Sequence, residues 1–353
     1  MKKLFIFVLL IMVSLNFANE LISKKVEVGP KLDGIVDEVW SMAKPLHIHL
    51  KVPSYFEGFN NPNVAKMNEN EYEYDVTLKS LYDDNYVYFL VQYKDDKMTI
   101  ARQPWMFKDG KWVHGPKHPV VENGKVVEPA MYEDKFAFLW NIDDSIKGFN
   151  DVGCMVVCHP PHKATNSPEE VGDIWHFKYV RTGTVGQTDD KHLVYSEGNG
   201  RKGDTKTSGG YKNNDQVING MTVPMYWLPD KKDRYWIYTS EIRMGEAKKI
   251  VKVSGTNLID EDGNVVPKNI MIPGIIVEPF NGGRGDVLTE AKWENGMWTY
   301  EFKRSLVTMG DPMGYDIQFN DLSKEYHFAV ALFDNAATEH ATHFGSIKLV
   351  FEK

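Results

Sequence analysis

Both cysteines of the chain lie in one short segment, and a histidine directly follows the second. The segment reads CMVVCHPPH from Cys154 to His162. Two thiols and an adjacent imidazole are what covalent haem attachment needs, because each sulfur bonds one porphyrin vinyl group and the imidazole lies beneath the iron. We therefore predict that Cys154 and Cys158 hold one haem c and that His159 is its proximal ligand. Three residues separate the cysteines where two are usual, so the intervening turn must be wider.

Two other uses of this segment stay open. Cys154 and Cys158 could form a small disulfide, which suits an oxidising compartment. The same cysteines with His159 and His162 could instead bind zinc. Four ligands within nine residues, however, lack the separated pairs that zinc sites normally show.

A second iron ligand is expected from another part of the chain, because the haem iron of an electron-transfer site is usually six-coordinate. Residues 334–343 form a polar segment with two histidines, and His340 is the predicted ligand. The alternatives are His343, His162, His176 and Met271.

Other side chains are candidates for contact with the body of the haem. Arg201 or Lys178 could meet a propionate, since a guanidinium or ammonium forms charge-assisted hydrogen bonds with carboxylates. Trp175 is predicted to bind the cofactor among the aromatic side chains that exclude water and tune its potential.

The elements that must position these residues are β-strands. Turn signals alternate with β-rich runs, and no long segment has the period of a helix. Two hairpins are clearest, 74–82 with 86–93 and 288–293 with 297–304. Further strands are predicted at 135–142, 174–181, 235–242, 270–277, 326–333 and 346–352. Their spacing predicts an all-β, immunoglobulin-like antiparallel β-sandwich closed by the C-terminal strand.

Three stretches interrupt the strands and are predicted to be long loop insertions. Residues 101–129, 148–172 and 198–219 are dense in glycine, proline, asparagine and charge. Loops of this length in compact domains are functional or disordered, so we expect the chemistry among them. The second contains the cysteine segment.

Composition and the N-terminus limit the class of protein. The chain has 353 residues with 49 acidic and 41 basic side chains, a net charge of −8 that offers no surface for nucleic acid. Residues 1–18 read as a signal peptide, with Lys2 and Lys3 before a short apolar run. We expect a periplasmic protein whose residues 19–353 form one domain. Membrane contact is expected only through a partner or an uncleaved leader.

Several blocks resemble known families. The stretch LDGIVDEVW at 32–40 resembles the opening strand of family 9 carbohydrate-binding modules (CBM9) and of DOMON-like haem and sugar binders. The remainder resembles the ethylbenzene dehydrogenase-related group, the haem-binding γ-subunit type associated with DMSO reductase-like molybdenum enzymes. The blocks that carry this second resemblance are 153–159, 172–178, 181–183, 200–202, 283–286, 298–304 and 333–336.

The resemblance implies a CBM9-like sandwich that holds one haem near one end. The b-type relatives use a methionine where this chain has 154–159, which places it in a c-type branch. They take a distal lysine from the segment that matches 338–345, where His340 stands closest. The implied iron ligands are therefore two histidines, His159 and His340.

The function that follows is a periplasmic electron-transfer protein, or an electron-transfer subunit of a respiratory oxidoreductase. The implied redox partners are a periplasmic molybdenum oxidoreductase or a membrane b-type cytochrome. The sequence has no catalytic motif, so we do not expect an enzyme in its own right. The alternative is a haem-free CBM9-like carbohydrate-binding module in which Cys154 and Cys158 form a disulfide.

Overall fold

The computed structural model describes residues 19–52, 73–123, 125–157, 163–231, 234–309 and 313–352, so the predicted signal peptide lies outside the described residues. Strands dominate this part of the chain, as predicted. In chain order they are β1 Glu20–Lys25, β2 Leu46–Lys51, β3 Glu73–Tyr82, β4 Tyr86–Lys94, β5 Trp105–Lys108, β6 Lys111–His114, β7 Val120–Glu122, β8 Lys125–Glu128, β9 Lys135–Asn141, β10 Gly172–Lys178, β11 Asp189–Leu193, β12 Arg201–Gly203, β13 Ser208–Asn213, β14 Asp215–Ile218, β15 Met221–Pro224, β16 Tyr226–Trp227, β17 Trp236–Tyr238, β18 Lys248–Ser254, β19 Asn257–Asp260, β20 Ile275–Asn281, β21 Leu288–Glu294, β22 Met297–Ser305, β23 Tyr326–Phe333, β24 Ala341–Thr342 and β25 Ile347–Glu352.

The helices of the described residues are short. Two are α-helical, α1 Phe149–Val152 and α2 Thr239–Arg243. The 3-10 turns are Glu38–Met42, Ile142–Asp144, Gly153–Val156, Gly183–Val185 and Gly283–Gly285. None of these helices has the length and hydropathy that crossing a membrane would take.

One large, mainly antiparallel sheet folds into two layers. The order β12-β11-β10-β9-β23 forms one layer, and β2-β3-β4-β22-β21 forms the other. The layers are joined through β24, which pairs with β23 and β2, and through β25 and β1. The predicted sandwich and its closure by the C-terminal strand are therefore confirmed.

The main core lies between the two layers and is rich in aromatic rings. Phe138 on β9 lies 5.4 Å from Phe89 on β4 and 5.2 Å from Phe302 on β22, measured between ring centroids. Trp140 and Trp175 are fully buried beside them. Burial of such rings supplies most of the free energy that holds two sheets together.

The outer face of the first layer is also covered. Side chains alternate along a strand, so Phe136 and Phe138 enter the main core while Ala137 and Leu139 face the other way. A second apolar cluster forms there, in which Phe149 and Cys154 of the 148–157 segment pack against Leu139. The loop predicted to carry the chemistry therefore lies across the outside of this layer.

Both predicted hairpins are present with extended bounds, as β3-β4 and β21-β22. Asp83 closes the first turn, because its Oδ1 accepts hydrogen bonds from the backbone N–H groups of Asn85 and Tyr86, each at 2.8 Å. In the second turn, Asn295 and Gly296 have φ of 53° and 74°. This positive φ at two successive residues is typical of a tight hairpin turn.

Two predictions of local structure are wrong. The stretches 101–129 and 198–219 are not continuous loops: the first contains the hairpins β5-β6 and β7-β8, and the second contains β12, β13 and β14. The strand predicted at 235–242 ends at Tyr238 and continues as α2. Glu241 causes this change, since its carboxylate accepts the Tyr238 N–H at 2.9 Å and pairs with Arg234.

Candidate functional site

A cleft opens on the outer face of the β9-β10-β23 layer. Its cavity volume is about 120 Å³, and all the empty space in and beside it, open solvent included, is about 760 Å³. The polar side chains that line it are Cys154, Lys163, His176, Arg201, Thr338 and His340. The side chains of its apolar walls include Ala137, Leu139, Ile174, Leu193, Ala329, Ala331 and Phe333. Four residues that the sequence predicts to contact a haem, from four distant segments, thus meet in one place.

Cys154 reaches the cleft because its segment approaches the C-terminal part of the chain very closely. Gly153 has φ of 68°, and a Cβ atom there would lie 2.1 Å from the carbonyl oxygen of Gly345. Only glycine satisfies both conditions without strain. The Cys154 side chain is buried, with its Sγ 3.6 Å from the Thr342 hydroxyl.

His340 stands at the edge of the cleft, half-buried, with its ring centroid 4.8 Å from that of Phe333. Its Nδ1 lies 2.9 Å from the carbonyl oxygen of Thr338. Because a carbonyl only accepts hydrogen bonds, Nδ1 carries the proton and Nε2 holds the lone pair in the neutral ring. This is the tautomer of a metal-binding histidine whose other nitrogen is held by a backbone carbonyl.

His176 has the opposite arrangement. The Arg201 guanidinium donates a hydrogen bond to its Nδ1, so in the neutral ring the proton sits on Nε2. Burial, reinforced by Lys178 and Arg201, holds the pKa of His176 well below its usual range and keeps it neutral. Nε2 is buried without a hydrogen-bond partner in the described part of the chain. His176 therefore offers an N–H donor and not a lone pair.

The charges around the cleft have one sign. Lys163 and Arg201 line it, and within the described ranges no carboxylate does. Lys135 lies behind Phe333, with its Nζ 4.0 Å from the ring centroid and 2.9 Å from the Ala337 carbonyl oxygen that it donates to. Burial, and then Arg181, hold the pKa of Lys135 well below its usual range. Positively charged donors at the cleft favour a ligand that carries carboxylates.

Other predicted site residues lie elsewhere. Trp175 faces the main core, 5.1 Å from Trp140, and its Nε1 donates to Asp173 Oδ2 at 3.0 Å. Lys178 is buried and pairs with Asp189. Met271 is partly exposed next to Ile272, whose backbone pairs with Trp105 in a separate apolar cluster. None of the three predicted residues lines the cleft.

His343 is buried on the cysteine side of this region. Neither of its ring nitrogens has a hydrogen-bond partner among the residues that the structure describes. Burial lowers the pKa of His343, while the nearby Cys154 acts in the opposite direction. Cys158, His159 and His162 lie outside the described residues.

The residues present suit a planar, partly apolar group that carries carboxylates and needs a nitrogen ligand. The walls are aliphatic and aromatic, the thiol and the His340 Nε2 are soft or borderline donors, and Arg201 with the unpartnered His176 N–H can bind an anion. The cavity volume of about 120 Å³ is smaller than the roughly 300 Å³ of the smallest usual ligand sites, so such a group would also extend into the open space beside the cleft.

Sequence reasoning missed Phe333, Lys163 and Lys135. Phe333 ends β23 and separates the rings of His176 and His340, at 5.4 Å and 4.8 Å between centroids. The only sequence signal for Lys135 was its position at the start of the apolar strand KFAFLWN. Ala329 and Ala331 of β23 line the cleft, and their small side chains leave room for it. In the sequence they are two small residues at alternate positions of one strand.

Solved structures resemble this chain at low sequence identity. Solved structures that are similar include the family 9 carbohydrate-binding module from Caldicellulosiruptor kristjanssonii, in complex with glucose and with cellotriose. The respective identities are 9% and 10%, with 94% and 95% of this chain and 97% and 95% of that chain covered. The TM-score is 0.30 in both cases, too low to establish a shared fold.

No curated protein matches the sequence. The family model described as Ethylbenzene dehydrogenase matches residues 37–344, which is most of the chain and includes every residue that lines the cleft. The chain therefore belongs to the ethylbenzene dehydrogenase family.

Proposed function

We propose that the protein is a periplasmic electron-transfer protein, or an electron-transfer subunit of a respiratory oxidoreductase, that binds one haem c in the cleft. The observation that carries this proposal is the meeting of Cys154, His340, His176 and Arg201 in a single cleft. Family membership supports an association with oxidoreductases. Catalysis by this chain itself is not part of the proposal.

Each side chain has a separate task in this proposal. Cys154 and Cys158 hold the porphyrin through thioether bonds, and His159 and His340 bind the iron. Arg201 and the Nε2–H of His176 bind a propionate. When bound, the haem supplies one-electron chemistry. Phe333 and the alanines of β23 exclude water from it, and a lower local dielectric constant shifts its reduction potential.

His340 is preferred to the other candidates as the second ligand because of its hydrogen bond. Its Nδ1 is fixed by the Thr338 carbonyl, which sets the tautomer, whereas His176 Nδ1 is occupied by Arg201. His343 lacks an orienting partner in the described segments. Ligating histidines almost always have such a partner for the second nitrogen.

The partners in the proposal are another redox protein, either a periplasmic molybdenum oxidoreductase or a membrane b-type cytochrome. The acidic net charge of −8 is compatible with transient, salt-sensitive docking to a basic partner surface and not with nucleic acid.

Covalent haem can be tested directly. The full chain is expressed with the cytochrome c maturation system, extracted with acidified acetone and assayed as the pyridine haemochrome. We expect pigment that stays with the polypeptide, and a loss of at least half of it in Cys154→Ser. A colourless wild-type protein would contradict the proposal and leave the haem-free carbohydrate-binding module.

The second ligand is tested by His340→Ala. Loss of the imidazole should convert a low-spin absorption spectrum to a high-spin one, because the iron loses its sixth strong-field ligand. His47→Ala is the control, since His47 is exposed on β2 and contacts only the Thr77 hydroxyl among the described residues. A low-spin spectrum in His340→Ala would remove His340 and direct the same test to His343.

A further inference from the structure

A cluster of buried aspartates lies on the opposite face of the strands that form the cleft. Asp173 on β10, Asp190 on β11 and Asp316 each offer one carboxylate oxygen, and these oxygens all lie within 4.8 Å of one another. All three side chains are buried. Asp204 is adjacent, since its backbone N–H donates to the Asp190 carbonyl at 3.2 Å. Three or four carboxylates this close require a compensating positive charge.

The cluster contains oxygens that no protein donor satisfies. Asp173 Oδ1, Asp190 Oδ2, Asp204 Oδ2 and Asp286 Oδ1 are buried without a hydrogen-bond partner in the described part of the chain. The other oxygens of the first three accept hydrogen bonds. Asp173 Oδ2 accepts the Ile317 N–H at 2.9 Å, Asp190 Oδ1 accepts the Lys191 N–H at 2.9 Å, and Asp204 Oδ1 contacts His192 Nδ1. Each of the four aspartates thus has one oxygen that accepts no hydrogen bond from a donor in the described ranges.

The protein cations at the cluster do not satisfy these oxygens, and Arg304 Nε and Nη2 are themselves buried without a hydrogen-bond partner among the described residues. Arg304 is fully buried, with its Nη2 3.4 Å from Asp316 and 3.8 Å from Asp173, while its Nη1 donates to the Ile317 carbonyl. His192 faces Asp204 and is stacked on Tyr315. Among the residues described, one guanidinium and one imidazole therefore face the carboxylates of Asp173, Asp190, Asp204, Asp286 and Asp316.

The short separation of the Asp190 and Asp286 side chains limits the charge that the cluster can carry. Their carboxyl groups lie within hydrogen-bonding reach of each other. Two carboxyl groups hold this position only if one of them is protonated or a metal ion lies between them.

We propose that Asp173, Asp190 and Asp316, with Asp204 and Asp286, form a Ca²⁺ site. Calcium binds six to eight oxygen ligands and accepts irregular geometry, which suits side chains from several loops and strands. Magnesium would need a nearly regular octahedron and several waters. The unsatisfied atoms of Asp173, Asp190, Asp204 and Asp286 are carboxylate oxygens, which favour a hard cation over the softer metals that thiols and imidazoles bind.

The site would stiffen the wall of the cleft. Asp173 and Ile174 are neighbours on β10, and they point to opposite faces of the layer. The ion would cross-link β10 and β11 from the inside while Ile174 and Leu193 line the cleft on the outside. This site does not depend on the identity of the group that the cleft binds.

Calcium binding is tested on the full chain after treatment with EDTA. Titration calorimetry and thermal unfolding with and without Ca²⁺ should show binding and a rise in the melting temperature. Terbium, which replaces Ca²⁺, should luminesce on excitation of tryptophan, because Trp175 contacts Asp173 directly. Trp175→Phe should lower this emission at least twofold while Ca²⁺ affinity changes much less.

The variants Asp190→Asn and Asp286→Asn should each weaken Ca²⁺ binding by at least about tenfold. Asp286 is only partly buried, so its variant should fold even if Asp190→Asn does not. Glu301→Gln is the matched control. It removes a buried charge whose oxygens already accept hydrogen bonds from Trp40 Nε1 and the Gly34 N–H, and it should bind Ca²⁺ like the wild type.

A wild-type protein whose melting temperature is the same in EDTA and in Ca²⁺, and which shows no calorimetric binding, would overturn the site. The shared-proton arrangement would then account for the cluster. Equal weakening in Glu301→Gln and Asp286→Asn would also overturn it, because the effect would not be specific to these oxygens.

Discussion

At the scale of single residues, hydrogen bonds decide what the two histidines of the cleft can do. The Thr338 carbonyl leaves His340 with a lone pair on Nε2, and Arg201 leaves His176 with a proton there. Two rings on either side of Phe333 therefore have different chemistry. One suits a metal ion and the other suits an anion.

A second residue-scale feature is the ion-pair cluster around Asp189. This buried carboxylate contacts Lys178, lies 2.7 Å from Arg284 Nε and 3.5 Å from Lys191 Nζ, and accepts the Tyr211 hydroxyl at 2.8 Å. Burial alone would raise its pKa. The surrounding cations outweigh burial and hold the pKa of Asp189 well below its usual range.

Asp189→Asn should lower the free energy of unfolding at pH 7 by about 3–5 kcal/mol, because buried cations lose their counter-ion. The difference should shrink as the pH falls below about 4. At that pH Asp189 is protonated in the unfolded wild type but still ionised in the folded protein, so the free energy of unfolding of the wild type falls. The variant has no such carboxylate and does not lose this contribution. Urea unfolding from pH 7 to pH 3 measures this.

Asp75→Asn is the control for Asp189→Asn, since the Asp75 side chain is 94% exposed. It should change the free energy of unfolding by no more than about 0.5 kcal/mol. If both variants lowered the free energy of unfolding equally, the role of the buried ion pairs of Asp189 would be contradicted.

Several site residues can be predicted because their chemistry is local. The spacing of Cys154 and the two histidines of 334–343 indicate a site without any knowledge of the fold. Trp175 is predicted to bind the cofactor, yet its ring lies in the main core and does not line the cleft. Neighbours on a strand point to opposite faces, and which face holds the cleft depends on how the 148–157 segment folds over the sheet. That contact is long-range and leaves no mark in the local sequence.

At the scale of elements, the strongest hairpins are predictable and the long insertions are not. Alternating apolar residues and turn residues define β3-β4 and β21-β22 locally. The strands of 101–129 are only three or four residues long, and one of them, Trp105–Lys108, contributes Trp105 to an apolar cluster with Ile272 and Trp227. Propensity in such short runs is too weak to predict them.

Gly153 is the element-scale test of how the cysteine segment is positioned. Gly153→Ala should lower the free energy of unfolding by about 3 kcal/mol, because a left-handed backbone and a clash with the Gly345 carbonyl combine. The displaced segment should also reduce the haem content. Thermal unfolding and the pyridine haemochrome measure the two effects.

Gly110→Ala separates these two causes. Gly110 has φ of 76°, and a Cβ atom added there would meet no described atom within 4 Å, so only the backbone cost of about 1 kcal/mol remains. Its haem content should equal that of the wild type. Equal losses of stability and of haem content in the two variants would show that the close approach of Gly153 to Gly345 has no role.

At the scale of the whole molecule, the described chain contains separate apolar clusters, and cooperative unfolding requires contacts between them. Leu349 is fully buried in the main sandwich, and Leu258 is fully buried in the separate cluster around Trp105 and Trp227. Buried hydrogen bonds join the segment between β10 and β11 to β20: the Gln187 side chain donates to the Phe280 carbonyl at 3.0 Å and accepts the Phe280 N–H at 2.7 Å. Polar groups buried at such a boundary oppose its separation, because each would lose its partner.

We therefore expect the described chain to unfold as one cooperative unit, in keeping with the predicted single domain. Leu258→Ala and Leu349→Ala should each cost about 2–5 kcal/mol, and each should shift one common transition. Tryptophan fluorescence and far-UV circular dichroism must then give the same midpoint in both variants. If Leu258→Ala instead produces an early transition while the sandwich melts at the wild-type temperature, the insertion cluster is a second unit, and the Gln187 contacts do not couple it to the cleft.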